Sequence, residues 1–134
     1  MRKSIWITTQ FIGFHRWPDA PKEVSFLAAP HRHVFKVKAS FSVSHSNRQL
    51  EFFTVQMAVN AIIFRDLLPA LQTDPSKSCE MMAEFLMERL RQEFVCLSVE
   101  VSEDGENGAV VELLHPESIG PTKRKARKAR KPAL

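Results

Sequence analysis

The run from His31 to Val43 alternates without a break, and this pattern constrains the fold more than any other feature of the chain. One face reads His31, His33, Phe35, Val37, Ala39, Phe41, Val43; the other reads Arg32, Val34, Lys36, Lys38, Ser40, Ser42. Period-two alternation with one wet face predicts a strand of an antiparallel sheet covered on one side only. Such a strand needs a neighbour, and Ser4 to His15 has the right pattern. Ile5, Ile7, Thr9, Phe11, Gly13 and His15 share one face, and Trp6, Thr8, Gln10, Ile12 and Phe14 the other. Here both faces carry apolar groups, so the strand is expected to be buried on both sides or to lie at a subunit contact.

Between the two strands, Arg16 to Pro30 reads as a loop, with Pro18, Pro21 and Pro30 blocking regular structure. After the second strand, Ser44 to Gln49 reads as a connecting turn, and Leu50 to Phe52 as a possible return. A first helix is predicted with Thr54 as N-cap, Val55, Val59, Ile62 and Ile63 at helical spacing, and Pro69 closing it. A second helix begins after Ser78, with Glu80 in its first turn and Met82, Phe85, Leu86 and Leu90 forming its apolar stripe. Leu97 to Val101 and Ala109 to Leu114 read as two short strands around "EDGENG", which holds two hairpin-turn signals. The predicted order is β-β-α-α-β-β, an α+β fold with two helices on one face of a four-stranded antiparallel sheet.

A chain of 134 residues with 44% hydrophobic residues can bury one core. Its net charge of +4 arises at one end: residues 121–134 carry seven Lys or Arg and no acid, which leaves residues 1–120 at −3. The expected division is a folded domain over 1–116 and a basic, disordered tail over 117–134, either a solvated end or a weak nucleic-acid contact. Apolar runs are short and broken by charge, which predicts no membrane partner. The N-terminus does not read as a signal peptide, and two cysteines, Cys79 and Cys96, make no disulfide framework. A reducing, cytoplasmic setting is expected.

The strongest chemical signal is His31-Arg32-His33. Residues i and i+2 of a strand point the same way, roughly 6.6 Å apart, so two imidazoles so placed can share one metal. His15, at the end of the other predicted strand, is the candidate third ligand. Three histidines with an open fourth position suit a catalytic type of zinc site. The plain alternative is a pair of surface histidines, and spacing alone leaves both open. His45 and His115 read as ordinary surface histidines.

The order of elements, with "FIGFHRWP" followed by "HRHVFKV", resembles the 6-pyruvoyl-tetrahydropterin synthase and 6-carboxy-tetrahydropterin synthase family, of the T-fold type. "LEFF" (Leu50 to Phe53), "SCEMMAEFLMERL" and "VSEDGENGA" match further stretches of that family in its order, over about Ile5 to Val111. The resemblance implies zinc held by His15, His31 and His33. It also implies a pterin or purine-like ring anchored by Glu103, with Glu80 a helix-start carboxylate near the same site. It implies too a homo-oligomer, a hexamer by the family's habit, whose sheets join into a barrel.

The departures bear on function. The family's cysteine falls on Leu27, and its Asp-His pair falls on Asp66-Leu67 or Leu67-Leu68. A leucine carries no proton, so the usual acid–base chemistry has no carrier. Glu23 lies in the right loop but four residues early, a weak catalytic substitute. Cys79 reads as a small core residue or, at a helix start, a thiol of lowered pKa. The first expectation is therefore a zinc protein that binds a pterin, purine or related nucleotide without turning it over. Alternatives are a lyase of the pterin or deazapurine pathway with rearranged catalytic groups, and an oligomeric scaffold whose tail binds nucleic acid.

Overall fold

The computed structural model describes residues 1–114. The expected basic tail, the domain boundary at 116 and His115 lie outside the described residues. Strand β1 (Lys3–His15) and strand β2 (His31–Val43) pair antiparallel along their whole length, His15 opposite His31 and Lys3 opposite Val43. Strand β3 (Cys96–Glu103) pairs with β2, and β4 (Asn107–Glu112) with β3, giving one antiparallel sheet in the order β1-β2-β3-β4. Helices α1 (Phe52–Ile62), α2 (Leu68–Thr73) and α3 (Cys79–Leu90) carry the rest of the core. The α+β sheet-and-helix architecture expected from the sequence is present.

The alternation of β2 decides which face is covered. Phe35, Val37, Ala39 and Phe41 are fully buried, as are Val99 and Val101 of β3, and Val55, Val59, Met82, Leu86 and Leu90 of the helices meet them. Lys36 and Lys38, one residue out of phase, are exposed. On β1 the inward Ile7 and Phe11 are buried, whereas Trp6, Ile12 and Phe14 remain more than half exposed on the other face. Lys38 Nζ lies 4.7 Å from the Trp6 ring centre and covers part of it.

Four local expectations are corrected. The prolines of the 16–30 loop do not exclude helix, because Lys22–Ala28 forms a 3-10 segment between Pro21 and Pro30. Leu50 and Glu51 form no strand, and α1 starts at Phe52, capped by Glu51 and not by Thr54. The Glu51 carboxylate accepts from the backbone N–H of Phe53 (2.9 Å) and Thr54 (3.0 Å) and from the Thr54 hydroxyl (2.9 Å). A charged acceptor reaching two orphan donors outcompetes a hydroxyl three residues on. Pro69 does not end the helix either. The chain widens into a π turn at Ile63–Leu67, where the Leu68 N–H bonds the Ile63 carbonyl, and α2 continues through the proline. The wider turn takes up the ring that would otherwise clash with the carbonyl four residues back.

The Glu51 cap makes a pH-dependent prediction. Its hydrogen bonds hold the carboxyl below the ordinary 4.5, the Phe53 N–H first among them. The folded state therefore binds its proton less readily than the unfolded chain, and the cap's stabilisation is present above pH 4.5 and lost as pH falls through the lower folded value. Glu51→Ala should lower the thermal midpoint at pH 7 by a few degrees, and the gap to the unsubstituted protein should close as pH falls through that lowered folded value. A gap that persists undiminished in acid would show that the carboxylate is not the cap.

The Phe52–Thr73 stretch is, by length and composition, apolar enough to cross a membrane, with a mean hydropathy of 1.2. Val59, Ile63 and Leu67 are fully buried against the core, whereas Phe52, Phe53, Met57 and Phe64 are exposed.

Candidate metal centre

The covered face of the sheet ends, at the β1–β2 end, in imidazoles in place of aliphatic groups. His15 ends β1, His31 starts β2 opposite it, and His33 follows on the same face. Their ring centres lie 4.6 Å (His15–His31), 5.3 Å (His15–His33) and 5.0 Å (His31–His33) apart. The end of β3 brings Glu103 beside them: its Oε2 is 3.0 Å from His15 Nε2 and 3.7 Å from His33 Nε2. The ligand atoms of these four groups all lie within 4.8 Å of one another, so His15, His31, His33 and Glu103 together can hold a metal ion.

The partners of the other ring nitrogens sharpen this. His15 Nδ1 is 2.9 Å from the Lys77 carbonyl, His31 Nδ1 is 2.9 Å from the Ala29 carbonyl, and His33 Nδ1 is 2.8 Å from Asp104 Oδ2. A carbonyl oxygen can only accept, and a carboxylate accepts when ionised, so each Nδ1 must donate. Each ring, when neutral, then presents an Nε2 lone pair to the shared centre. This is the orientation that carbonyl and carboxylate partners impose on metal-ligating histidines. His15 is nearly buried, and that desolvation, ahead of the opposing effects of Lys77 and Glu103, holds its pKa below the ordinary 6.5. His15 Nε2 and His33 Nε2 are buried without a hydrogen-bond partner among the described residues. A lone pair on His15 and a carboxylate oxygen 3.0 Å away repel unless a proton or a metal cation lies between them. Two nitrogens orphaned beside an anion fit a bound metal.

Asp104 is a residue that sequence reasoning treated only as part of a turn. Its carboxylate accepts from His33 Nδ1 and from the Val34 N–H (2.9 Å), and these bonds, the His33 one first, keep its carboxyl below the ordinary 3.8. Asp104 and Gly105 both adopt positive φ (58° and 74°), so the Asp-Gly step makes the hairpin turn while Asn107 and Gly108 begin β4. Its signal was available: an Asp-Gly immediately after Glu103, on a strand that pairs with β2.

A cavity of about 550 Å³ opens over the cluster. His15, His31, Glu103, Glu80 and Cys79 line it together with Trp17, Arg16 and Leu27. The main chain sets this wall: the Arg16 N–H bonds the Pro75 carbonyl and the Trp17 N–H bonds the Leu27 carbonyl. Ser78 caps α3 by accepting from the Met81 N–H, which presents Glu80 at the helix start. The structure thus brings Glu80 and Glu103 to one cavity with the histidines. Glu23 is exposed in the 3-10 segment and has no part in that lining. Leu27 occupies the wall as an apolar group. Burial, then the charges of Glu103 and Glu80, push the Cys79 thiol up to about 12, the opposite of the lowered pKa weighed from its helix-start position, so it stays protonated at neutral pH. Asp66 is held by Arg65 (3.3 Å) and Arg89 (3.5 Å), and Leu67 is fully buried. His45 is exposed, its Nδ1 accepting from the Asn47 N–H.

The fold and this cluster define, as a class, an α+β domain with a three-histidine, one-carboxylate site beneath a cavity. No family model matches the chain, and no curated protein matches it.

Proposed function

We propose that the chain is a T-fold protein similar to the 6-pyruvoyl-tetrahydropterin synthase family. In this reading it holds zinc with His15, His31 and His33 and binds a pterin, purine or related nucleotide ring without that family's usual turnover. The single observation that carries this reading is the convergence of three Nε2 lone pairs, each fixed by an acceptor at Nδ1, under a cavity that also holds two carboxylates. Neutral imidazoles and one carboxylate are the donor set that zinc takes. When bound, zinc supplies Lewis-acid polarisation of an oxygen on the ligand.

The chain's own residues do the rest. Glu103 and Glu80 are the acceptors for the N–H edge of an amidine-like ring, a charge-assisted pairing. Trp17 gives the ring an aromatic wall. The family's thiolate has no counterpart in the lining, since the cavity's thiol stays protonated and Leu27 is inert. That substitution supports the reading of binding without the family's usual turnover. Oligomerisation belongs to the same reading. Trp6, Ile12 and Phe14, exposed on edge strand β1, form an apolar surface that joining a second sheet would cover.

The test is a fluorescence titration of the zinc-loaded protein with neopterin and with guanosine triphosphate, beside Glu80→Ala and Trp17→Ala. Saturable binding, weakened about tenfold or more in either variant, corresponds to the loss of one good contact worth about 1.4 kcal/mol. Binding unchanged in both variants, or absent for both rings, would refute the ring-binding reading.

A further inference from the structure

Glu103 has two claims on it. A ring anchor must turn the edge of its carboxylate toward the cavity, yet its Oε2 lies in the corner where a fourth metal ligand belongs. The edge of a zinc tetrahedron is about 3.3 Å for ligand bonds near 2.0 Å. The Oε2 distances to His15 Nε2 and His33 Nε2, 3.0 and 3.7 Å, bracket that length. Its neighbour Asp104 is held by two hydrogen bonds, whereas the Glu103 carboxylate meets, among the described residues, the Nε2 atoms of His15 and His33, the same atoms that would ligate the metal. The Glu103 side chain is 27% exposed, and it opens onto the cavity. It is therefore the one ligand of the four that can rotate without breaking a protein hydrogen bond.

We propose that Glu103 is a displaceable fourth ligand, which closes the coordination of the metal while the cavity is empty and leaves it when a ring binds. The inference rests on the reading above and adds a coupling to it. The N–H edge of the ring competes with the metal for the carboxylate, so ring binding opens a coordination position that is otherwise filled. Ring affinity and metal affinity then oppose each other, and the linkage is reciprocal. A ligand without an amidine-like edge cannot open the site. This separates ring heterocycles from other anions of the same size.

The experiment uses the full chain loaded with cobalt(II), whose visible spectrum reports coordination number, with Glu103→Gln and Glu103→Asp alongside. Far-UV circular dichroism checks that the variants fold. The unsubstituted protein should show the intense bands of a four-coordinate site, and Glu103→Gln should lose intensity and bind zinc at least about tenfold more weakly. Glu103→Asp, charged but one carbon short, should behave like Glu103→Gln. Neopterin should move the spectrum of the unsubstituted protein toward that of Glu103→Gln and leave the variant's spectrum unchanged.

Failure of the folded, unsubstituted protein to take up cobalt or zinc would overturn the metal reading itself. Uptake with spectra and affinities equal in all three proteins would overturn only the role of Glu103. Neopterin that binds with no spectral change would mean that the carboxylate serves ring and metal at once, and displacement would be wrong. Neopterin that fails to bind would remove displacement together with the ring reading, leaving Glu103 a permanent ligand.

Discussion

Purified protein should carry close to one zinc per chain, and the His31→Ala, His33→Ala double variant should carry none. Each of these rings has its Nδ1 committed to an acceptor, Ala29 carbonyl or Asp104, and can contribute nothing to the centre except an Nε2 lone pair. Removing both leaves His15 and Glu103, two groups of the four. Four-ligand zinc sites in small domains bind with roughly 10–16 kcal/mol, so losing half the ligands costs on the order of 5–8 kcal/mol, about 10⁴- to 10⁶-fold in affinity. Both rings are only partly buried, so the variant should fold. Elemental analysis gives the stoichiometry, and thermal melts give a second readout. Zinc at about a thousand times its dissociation constant stabilises a protein by about 4 kcal/mol, so it should raise the midpoint of the unsubstituted protein and leave the variant unmoved. Zinc retained by the double variant, or refused by the folded parent after add-back, would refute the three-histidine site.

Phe35→Ala should be among the most destabilising single substitutions in the described core, costing about 3–5 kcal/mol in urea denaturation of the zinc-free protein. Phe35 is fully buried, with ring centres 5.3 Å from Phe11, 5.1 Å from His15 and 5.5 Å from His33. It is both core and floor of the metal centre. Gly13, on the neighbouring strand, leaves the room: a Cβ there would meet Phe35 Cε2 and Leu71 Cδ2 at 3.2 Å. Nothing nearby is free to collapse into the space, because the backbone on both sides is held in the sheet ladder. The same substitution should weaken zinc binding, since two of the three ligand rings lose the aromatic edge that aims them. Phe35→Leu keeps most of the volume and should cost less on both measures. A loss below about 1 kcal/mol, or an unchanged zinc affinity in a folded Phe35→Ala protein, would show that Phe35 does not support the site.

The β2 strand was legible to the residue, His31 to Val43, because alternation over that length admits one local solution and one buried face. The facing of His31 and His33 followed from it, as did the helix after Ser78, whose hydroxyl cap and apolar stripe agree. Element ends were less legible where two local signals compete. Thr54 and Glu51 are both able to cap α1, and the sequence does not say which side chain will reach the free N–H groups. Pro69 signals a stop in every local rule, yet the core on both sides of it, Ile63, Leu67 and Leu71, holds the helix together through a π turn. Packing overrides propensity there by burying more apolar surface than the proline costs.

By itself, then, the sequence determined the sheet-and-helix order, the face that carries the core, and two imidazoles side by side on one strand. Those depend on neighbours a few residues apart, where periodicity is decisive. The tertiary structure alone brought the imidazoles together with a carboxylate into a cluster that could hold a metal ion. The His15–His31 pairing depends on strand register. The Glu103 carboxylate beside the three rings depends on where β3 ends against β2. The three Nδ1 acceptors come from Lys77, Ala29 and Asp104, in three separate segments. Ligation is a matter of ångströms between residues up to about ninety positions apart, and no local pattern encodes such distances.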